Sequence, residues 1–349
     1  MSTPVIAFFN NKGGVGKTSL VYHVAWMCAG MGKRVIAADL DPQANLTAAF
    51  LDEDCLEEIW SDRSGPSTVF GCVRPLLAGT GDVADPLLQY LDKQMSFLPD
   101  SPALPSLLVG DLALSGFEDE LSAQWPQCLG GGGGVERAFR VISAFWRILQ
   151  SASANHRDGP AEVILVDLGP NLGAINRAAL IAADYVVVPL APDLFSLQGL
   201  ENLGPTLRQW RKEWNDRLPK KPSAADFELP PGDMTPIGYI VLQHAVRMDR
   251  PVKAYERWIA QIPRVFEEVV LEESGSGVVS VTSDPHCLSL LKHYRSLMPM
   301  AQEARKPVFY LKPADGAIGG HGSAVQSAYH DFRQLARTIL ERCAIPLSS

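Results

Sequence analysis

The chain reads as an α/β protein built on a doubly wound, mainly parallel sheet flanked by helices. Two observations carry that expectation. Short apolar runs at Val5–Phe9, Val35–Asp39, Val163–Asp167, Tyr185–Pro189 and Ile237–Leu242 alternate with stretches of helical spacing, the pattern of βα units feeding a parallel sheet. The runs are apolar at nearly every position rather than at every second one, as strands covered on both faces require. In such sheets ligands sit at the carboxyl ends of the strands, so the residues that follow each run are the candidate site residues.

The first run leads into Asn11-Lys12-Gly13-Gly14-Val15-Gly16-Lys17-Thr18-Ser19 and then into Leu20–Cys28, which has helical spacing. Strand, glycine-rich loop and helix in that order are the context of a phosphate-binding loop, and they make the fold a P-loop NTPase. Gly13, Gly14 and Gly16 allow a tight turn in which backbone N–H groups, with those of Val15, Thr18 and Ser19, face one phosphate. The helix dipole adds to that pull. Lys17 is placed to reach the β- and γ-phosphates, and the Thr18 hydroxyl to bind magnesium. The general pattern has a glycine where this chain has Asn11, and it lacks the additional lysine, Lys12.

The segment Lys12-Gly13-Gly14-Val15-Gly16-Lys17-Thr18-Ser19 resembles the deviant Walker A loop of the ParA/MinD-like family of P-loop ATPases. In that family the early lysine crosses a dimer interface to touch the partner's nucleotide. The second run ends in Asp39-Leu40-Asp41-Pro42-Gln43-Ala44-Asn45-Leu46-Thr47, similar to the family's D-x-D-P-Q-x-N-x-T motif. The resemblance implies that Asp41 positions or polarises the attacking water and that Asp39 sits near the magnesium shell. Four apolar residues before Asp167 form a Walker-B-like element, in which Asp167 holds magnesium, and Gly169-Pro170 fits the family's following turn loosely. ATP and Mg2+ are therefore the expected cofactors, with Lys12, Lys17 and Asp41 as the catalytic set.

The remaining elements follow in order. Leu51 to about Pro160 is an insertion broken up by prolines, with a short core strand expected at Met95–Pro99 and a helix opening at Asp111–Leu114. Gly130–Gly134 reads as a surface loop. Ala138–Leu149 reads as one helix burying Phe139, Ile142, Phe145, Trp146 and Leu149. A helix follows Asp167 at Asn176–Ala183, and another runs to about Trp214 after the strand ending at Pro189. A proline-rich connection, Pro219–Pro236, precedes the strand at Ile237, whose end carries Gln243 where the family places a base-recognising residue. Residues 245–306 read as an additional helical and loop segment. Val308–Gly316 resembles the family's last strand and nucleotide-side loop, with Pro313 as a candidate contact to the base. The last helix is expected at about Ser323–Arg342, packed through Tyr329, Phe332, Leu335, Ala336 and Ile339. The whole of 1–349 is read as one domain.

Composition narrows the partners. The net charge of −8 does not favour broad nucleic-acid binding. Local basic clusters, Arg208, Arg211, Lys212, Arg217, Lys220 and Lys221 and then Arg247–Arg264, keep DNA open as a partner, though acids are interleaved in both. The six cysteines are scattered without a C-x-x-C, which argues against a disulfide framework, a zinc site and the iron–sulfur branch of this ATPase class. No apolar run reaches membrane-spanning length, the tail after Arg342 is short and uncharged, and no leader precedes the first strand. A cytoplasmic protein without a membrane anchor is expected. The favoured reading is an ATP-dependent homodimerising switch that acts on a protein or DNA partner, for example in partitioning. The alternatives are a small-molecule ATP-dependent ligase or kinase on the same scaffold, and a nucleotide-binding regulator that hydrolyses nothing.

Overall fold

The computed structural model of the chain describes residues 2–61, 65–91, 103–244, 257–273, 277, 280–292, 294 and 296–347. Its strands are β1 (Val5–Phe8), β2 (Val35–Asp39), β3 (Gln89–Tyr90), β4 (Ser106–Leu108), β5 (Val163–Asp167), β6 (Tyr185–Leu190), β7 (Thr235–His244) and β8 (Cys287–Lys292). They form one sheet in the order β3-β4-β2-β5-β1-β6-β7-β8. All pairings are parallel except β3 with β4. The chain leaves β1 toward β2 on one side, and from β5 it crosses to β6 on the other. The crevice of a doubly wound sheet therefore opens at the carboxyl end of β1.

The helices are α1 (Lys17–Gly30), α2 (Asn45–Phe50), α3 (Glu53–Ser61), α4 (Val69–Leu77), α5 (Glu118–Gln127), α6 (Val135–Ile142), α7 (Ala144–Ala154), α8 (Ala174–Ile181), α9 (Leu194–Arg217), α10 (Ile262–Val265), α11 (Leu297–Glu303) and α12 (Gly320–Arg342). Side-chain alternation along the strands sorts them into two layers. Val5 and Ala7 of β1, with Ile164 and Val166 of β5, pack into a core shared with α4 to α9. Ile6 and Phe8, with Val163 and Leu165, pack into the opposite core with α1, α2, α3 and α12. Both faces of the central strands are thus dry, which is why their sequences are apolar throughout.

Several expectations need correction. The expected helix 138–149 is two helices, α6 and α7, broken at Ser143, whose hydroxyl donates to the Phe139 carbonyl at 2.7 Å and competes with the helical ladder. The five residues of its expected stripe are nonetheless buried. Asp111 caps a 3₁₀ helix, Leu112–Phe117, which then passes into α5. Val308–Tyr310 and Pro313–Asp315 form 3₁₀ turns rather than a last strand. Prolines at 307 and 313 lack the N–H a ladder needs, and the Val308 N–H is taken by His23 Nε2 at 3.1 Å. The sheet edge is instead β8, inside the segment read as helical and loop. The strand expected at Met95–Pro99 lies outside the described residues; among those described, β4 is the insertion's strand that pairs with β2.

Candidate functional site

The glycine loop closes at the carboxyl end of β1. Gly14 and Gly16 take φ of 71° and 88°, in the left-handed region where only glycine is unstrained. Gly16 is the N-cap of α1 and brings no side-chain cap, so the first N–H groups of the helix remain for an anion. Asn10 anchors the loop from below: its Nδ2 donates to the Pro189 carbonyl at the end of β6 (2.7 Å), and its Oδ1 accepts from the Lys12 N–H (3.0 Å). Gly199 of α9 approaches so closely that a Cβ there would lie 2.9 Å from the Asn10 and Asn11 side-chain oxygens.

Lys17 is buried, and its Nζ donates to the Lys12 carbonyl at 3.2 Å across the loop. Burial lowers its pKa, opposed by the charges of Asp167 and Asp41. Lys12 behaves differently. Its ammonium pairs with Asp193 and lies 5.8 Å from the Phe195 ring centroid. Asp193 also caps α9, accepting from the Ser196 N–H at 2.9 Å; burial pushes its pKa up, but the Lys12 hydrogen bond and charge and the Ser196 hydrogen bonds together hold the carboxyl below its usual range. Phe195 is 67% exposed.

Three carboxylates converge beside Lys17. Asp39 and Asp167 are register partners across β2 and β5. Asp39 is committed to the loop that follows it. Its Oδ2 accepts from the Thr47 N–H and hydroxyl, both at 2.8 Å, and its Oδ1 accepts weakly from the Asp41 N–H at 3.3 Å. The Thr47 hydroxyl in turn accepts from the Gly110 N–H at 2.8 Å. Asp41 is buried, with its Oδ1 accepting from the Gln43 N–H at 3.0 Å. Asp167 is buried with both carboxylate oxygens lacking a hydrogen-bond partner. Burial raises its pKa to about 8, reinforced by the Asp39 and Asp41 charges. Thr18 and Lys17 offset part of the rise, the Thr18 hydroxyl short of a hydrogen bond of ordinary geometry.

A buried carboxylate with two free oxygens, beside a threonine hydroxyl and an uncapped helix N-terminus, fits a hard divalent cation shared with a bound phosphate. Among the described residues no group of three or more His, Cys, Asp or Glu forms a complete metal cage.

A cavity of about 130 Å³ adjoins the loop and is lined by Gly16, Ser19, Leu20, Leu242, Tyr294 and Phe332 among others. The sequence did not point to Tyr294, which comes from the segment after β8. Gln243 lies on β7 beside Leu242, but its side chain is outside the described residues. Pro313 is exposed in its 3₁₀ turn and is not in the cavity wall. Asn10, Thr47 and Gly110 were also missed; only the position of Thr47 in the second motif could have signalled it.

Of the basic clusters, Arg247, Arg250 and Lys253 lie outside the described residues. Arg208 pairs with Glu272, Arg211 donates to the carbonyls of Asp233 and Met234, Arg217 to those of Trp125 and Glu213, and Lys221 to that of Phe227. No helix of the described residues is long and apolar enough to cross a membrane.

The chain matches the family model described as AAA domain over residues 3–220. It is 31% identical over 214 residues to the chromosome partitioning protein ParA of Caulobacter vibrioides, an alignment covering 61% of this chain and 66% of that protein. It is 28% identical to the sporulation initiation inhibitor protein Soj of Bacillus subtilis, covering 61% of this chain and 68% of the relative. The chain thus spans about two thirds of the length of these relatives. Among solved structures, protein DIP2308 from Corynebacterium diphtheriae superposes with a TM-score of 0.70 at 24% identity, covering 98% of this chain and 99% of that one. An ATP complex of McdA from Cyanothece superposes at 0.61 and 13% identity, covering 100% and 99%. With the glycine loop, the carboxylate trio and the doubly wound sheet, these matches place the chain in the AAA-domain family as a ParA-like P-loop ATPase.

Proposed function

We propose that the chain is an ATP-dependent dimerising switch that binds Mg-ATP, hydrolyses it slowly and thereby partitions or positions a partner. The observation that carries this reading is the position of Lys12. Its ammonium does not close on the chain's own loop as Lys17 does; it is engaged with Asp193 and Phe195 at the exposed start of α9. Leu172, on the loop after β5, and Leu194 and Phe195, in the first turn of α9, are exposed apolar residues, a rim that a second copy would cover. Release of Lys12 from Asp193 toward the partner's nucleotide makes the dimer depend on the γ-phosphate.

The loop N–H groups and Lys17 hold the phosphates. Thr18 and Asp167 would hold magnesium, which supplies charge neutralisation for the leaving phosphate. Asp39 holds Thr47 and the Asp41 loop in place, and Asp41 orients the attacking water. The apolar cavity beside Ser19 takes the nucleoside. With four of the basic side chains already engaged by groups of this chain, we favour a protein partner over DNA.

Light scattering on a sizing column with ADP, ATP and a slowly hydrolysed analogue tests the reading. A dimer is expected with ATP alone, lost in Lys12→Ala and trapped in Asp41→Ala. A monomer in every nucleotide state would refute it.

A further inference from the structure

We infer that Glu118, from the long segment between β4 and β5, and Asn176 are positioning residues that set the loop Gly169–Gly173 against the hydrolysis site. The inference rests on the reading above, in that it takes Asp41 to orient water.

That loop touches both halves of the site. A Cβ at Gly169 would lie 3.1 Å from the Asp41 Oδ1, and one at Gly13 would lie 3.7 Å from the Pro170 side chain. The approach to Asp41 is the tight one and the Gly13 contact is ordinary van der Waals, so a shift of the loop would press on the water-orienting carboxylate before it disturbed the glycine loop. Two side chains outside the loop hold it. Asn176 is 1% exposed, and its Nδ2 donates to the carbonyls of Gly169 (2.8 Å) and Asn171 (2.6 Å) and to the Asn171 Oδ1 (3.1 Å). Asn171 Oδ1 accepts in turn from the Gly173 N–H at 2.9 Å.

At the other end, the Glu118 carboxylate accepts from the N–H groups of Ala174 (2.5 Å) and Ile175 (2.8 Å). These are orphan donors at the start of α8, whose own N-cap, Gly173, has no side chain to offer. A Cβ at Gly173 would come within 2.6 Å of Glu118 Oε1, so a side chain there would displace the carboxylate from the helix end. The far end of α5 is fastened to the same helix, because the Arg177 guanidinium of α8 stacks on the Trp125 ring of α5 at 4.4 Å. The insertion is thus wired to Asp41 through a continuous chain of contacts: α5, Glu118, the α8 N-terminus, Gly173, Asn171, Asn176 and Gly169. Charge-assisted bonds of this kind are the strong class, and Glu118 has a further role as the anion favoured by the α8 dipole.

The test uses the full chain. Glu118→Ala and Asn176→Ala are expected to lower kcat for ATP about ten-fold while KM and the affinity for a fluorescent ATP analogue stay within about two-fold, because the phosphate loop is untouched. Glu118→Gln, which keeps one amide oxygen, should fall between Glu118→Ala and wild type. The double variant should be no worse than the worse single, since both act on one loop. Hydrogen exchange at Ala174 and Ile175 should quicken in Glu118→Ala, a readout that needs no turnover. Wild-type kcat in the folded single variants, an additive double variant, or affinity falling in step with kcat would overturn the inference. Turnover by Asp41→Ala equal to wild type would overturn the hydrolysis-site reading and this inference together. Loss in Asp41→Ala alone would overturn only this one.

Discussion

His23 links the glycine-loop helix to the C-terminal layer, and acid is the perturbation that tests this link. The ring is 3% exposed on α1. Its Nδ1–H donates to the Ser19 carbonyl at 2.6 Å, its Nε2 accepts from the Val308 N–H at 3.1 Å, and it stacks on Phe332 with centroids 4.9 Å apart. One tautomer satisfies both bonds. A second proton would set Nε2–H against the Val308 N–H and charge a ring cut off from water. Burial accordingly pushes the pKa down to about 4 from 6.5, with the Ser19 bond opposing.

The folded pKa lies below the unfolded one, so the unfolded chain takes the proton first. Stability is full above about pH 6.5, falls as the pH drops through that value, and levels off below about 4. At about 1.4 kcal/mol per unit, the gap corresponds to about 3 kcal/mol, a large share of a stability of roughly 5–15 kcal/mol. Urea unfolding of wild type and His23→Gln between pH 7 and pH 4 measures it. The wild-type advantage should shrink by about that amount as the pH falls. An advantage independent of pH, or a ring that titrates near its ordinary value by NMR, would refute the reasoning.

Two further outcomes follow from the site. Asp167→Asn should raise the melting temperature of the nucleotide-free protein above about pH 8, where it removes a buried carboxylate charge that no hydrogen bond satisfies, yet abolish magnesium-dependent turnover; lower stability without ligand at that pH would count against a cation site. Asp193→Asn keeps the α9 cap to Ser196 but loses the charge that holds Lys12. The ATP-dependent dimer should then tighten by roughly two- to five-fold at low salt, the worth of a half-exposed ion pair. That gain should fade at high salt in sedimentation runs, and a weaker dimer would contradict the release of Lys12.

The central strands and the glycine loop were legible because local chemistry writes them directly: strands dry on both faces must be apolar throughout, and a turn with positive φ at 14 and 16 calls for glycine. The three aspartates were legible for the same reason, each ending or closely following such a strand. The failures share a different cause. Val308–Tyr310 is apolar enough for a strand, but its N–H is claimed by His23, 285 positions earlier in the chain. Residues 138–149 carry an unbroken helical stripe, and only the Ser143 backbone shows where it breaks.

Sequence by itself determined the fold class, the phosphate loop and the set of charged groups around it, since strand burial, glycine turns and strand-end carboxylates are short-range requirements. Tertiary structure decided what each charge does. It spends one oxygen of Asp39 on Thr47 and the other on the Asp41 N–H, and leaves those of Asp167 without a hydrogen-bond partner; it turns Lys12 to Asp193; and it brings Glu118 to the head of α8. Those assignments depend on contacts between distant segments, whose register is set by packing of the whole sheet.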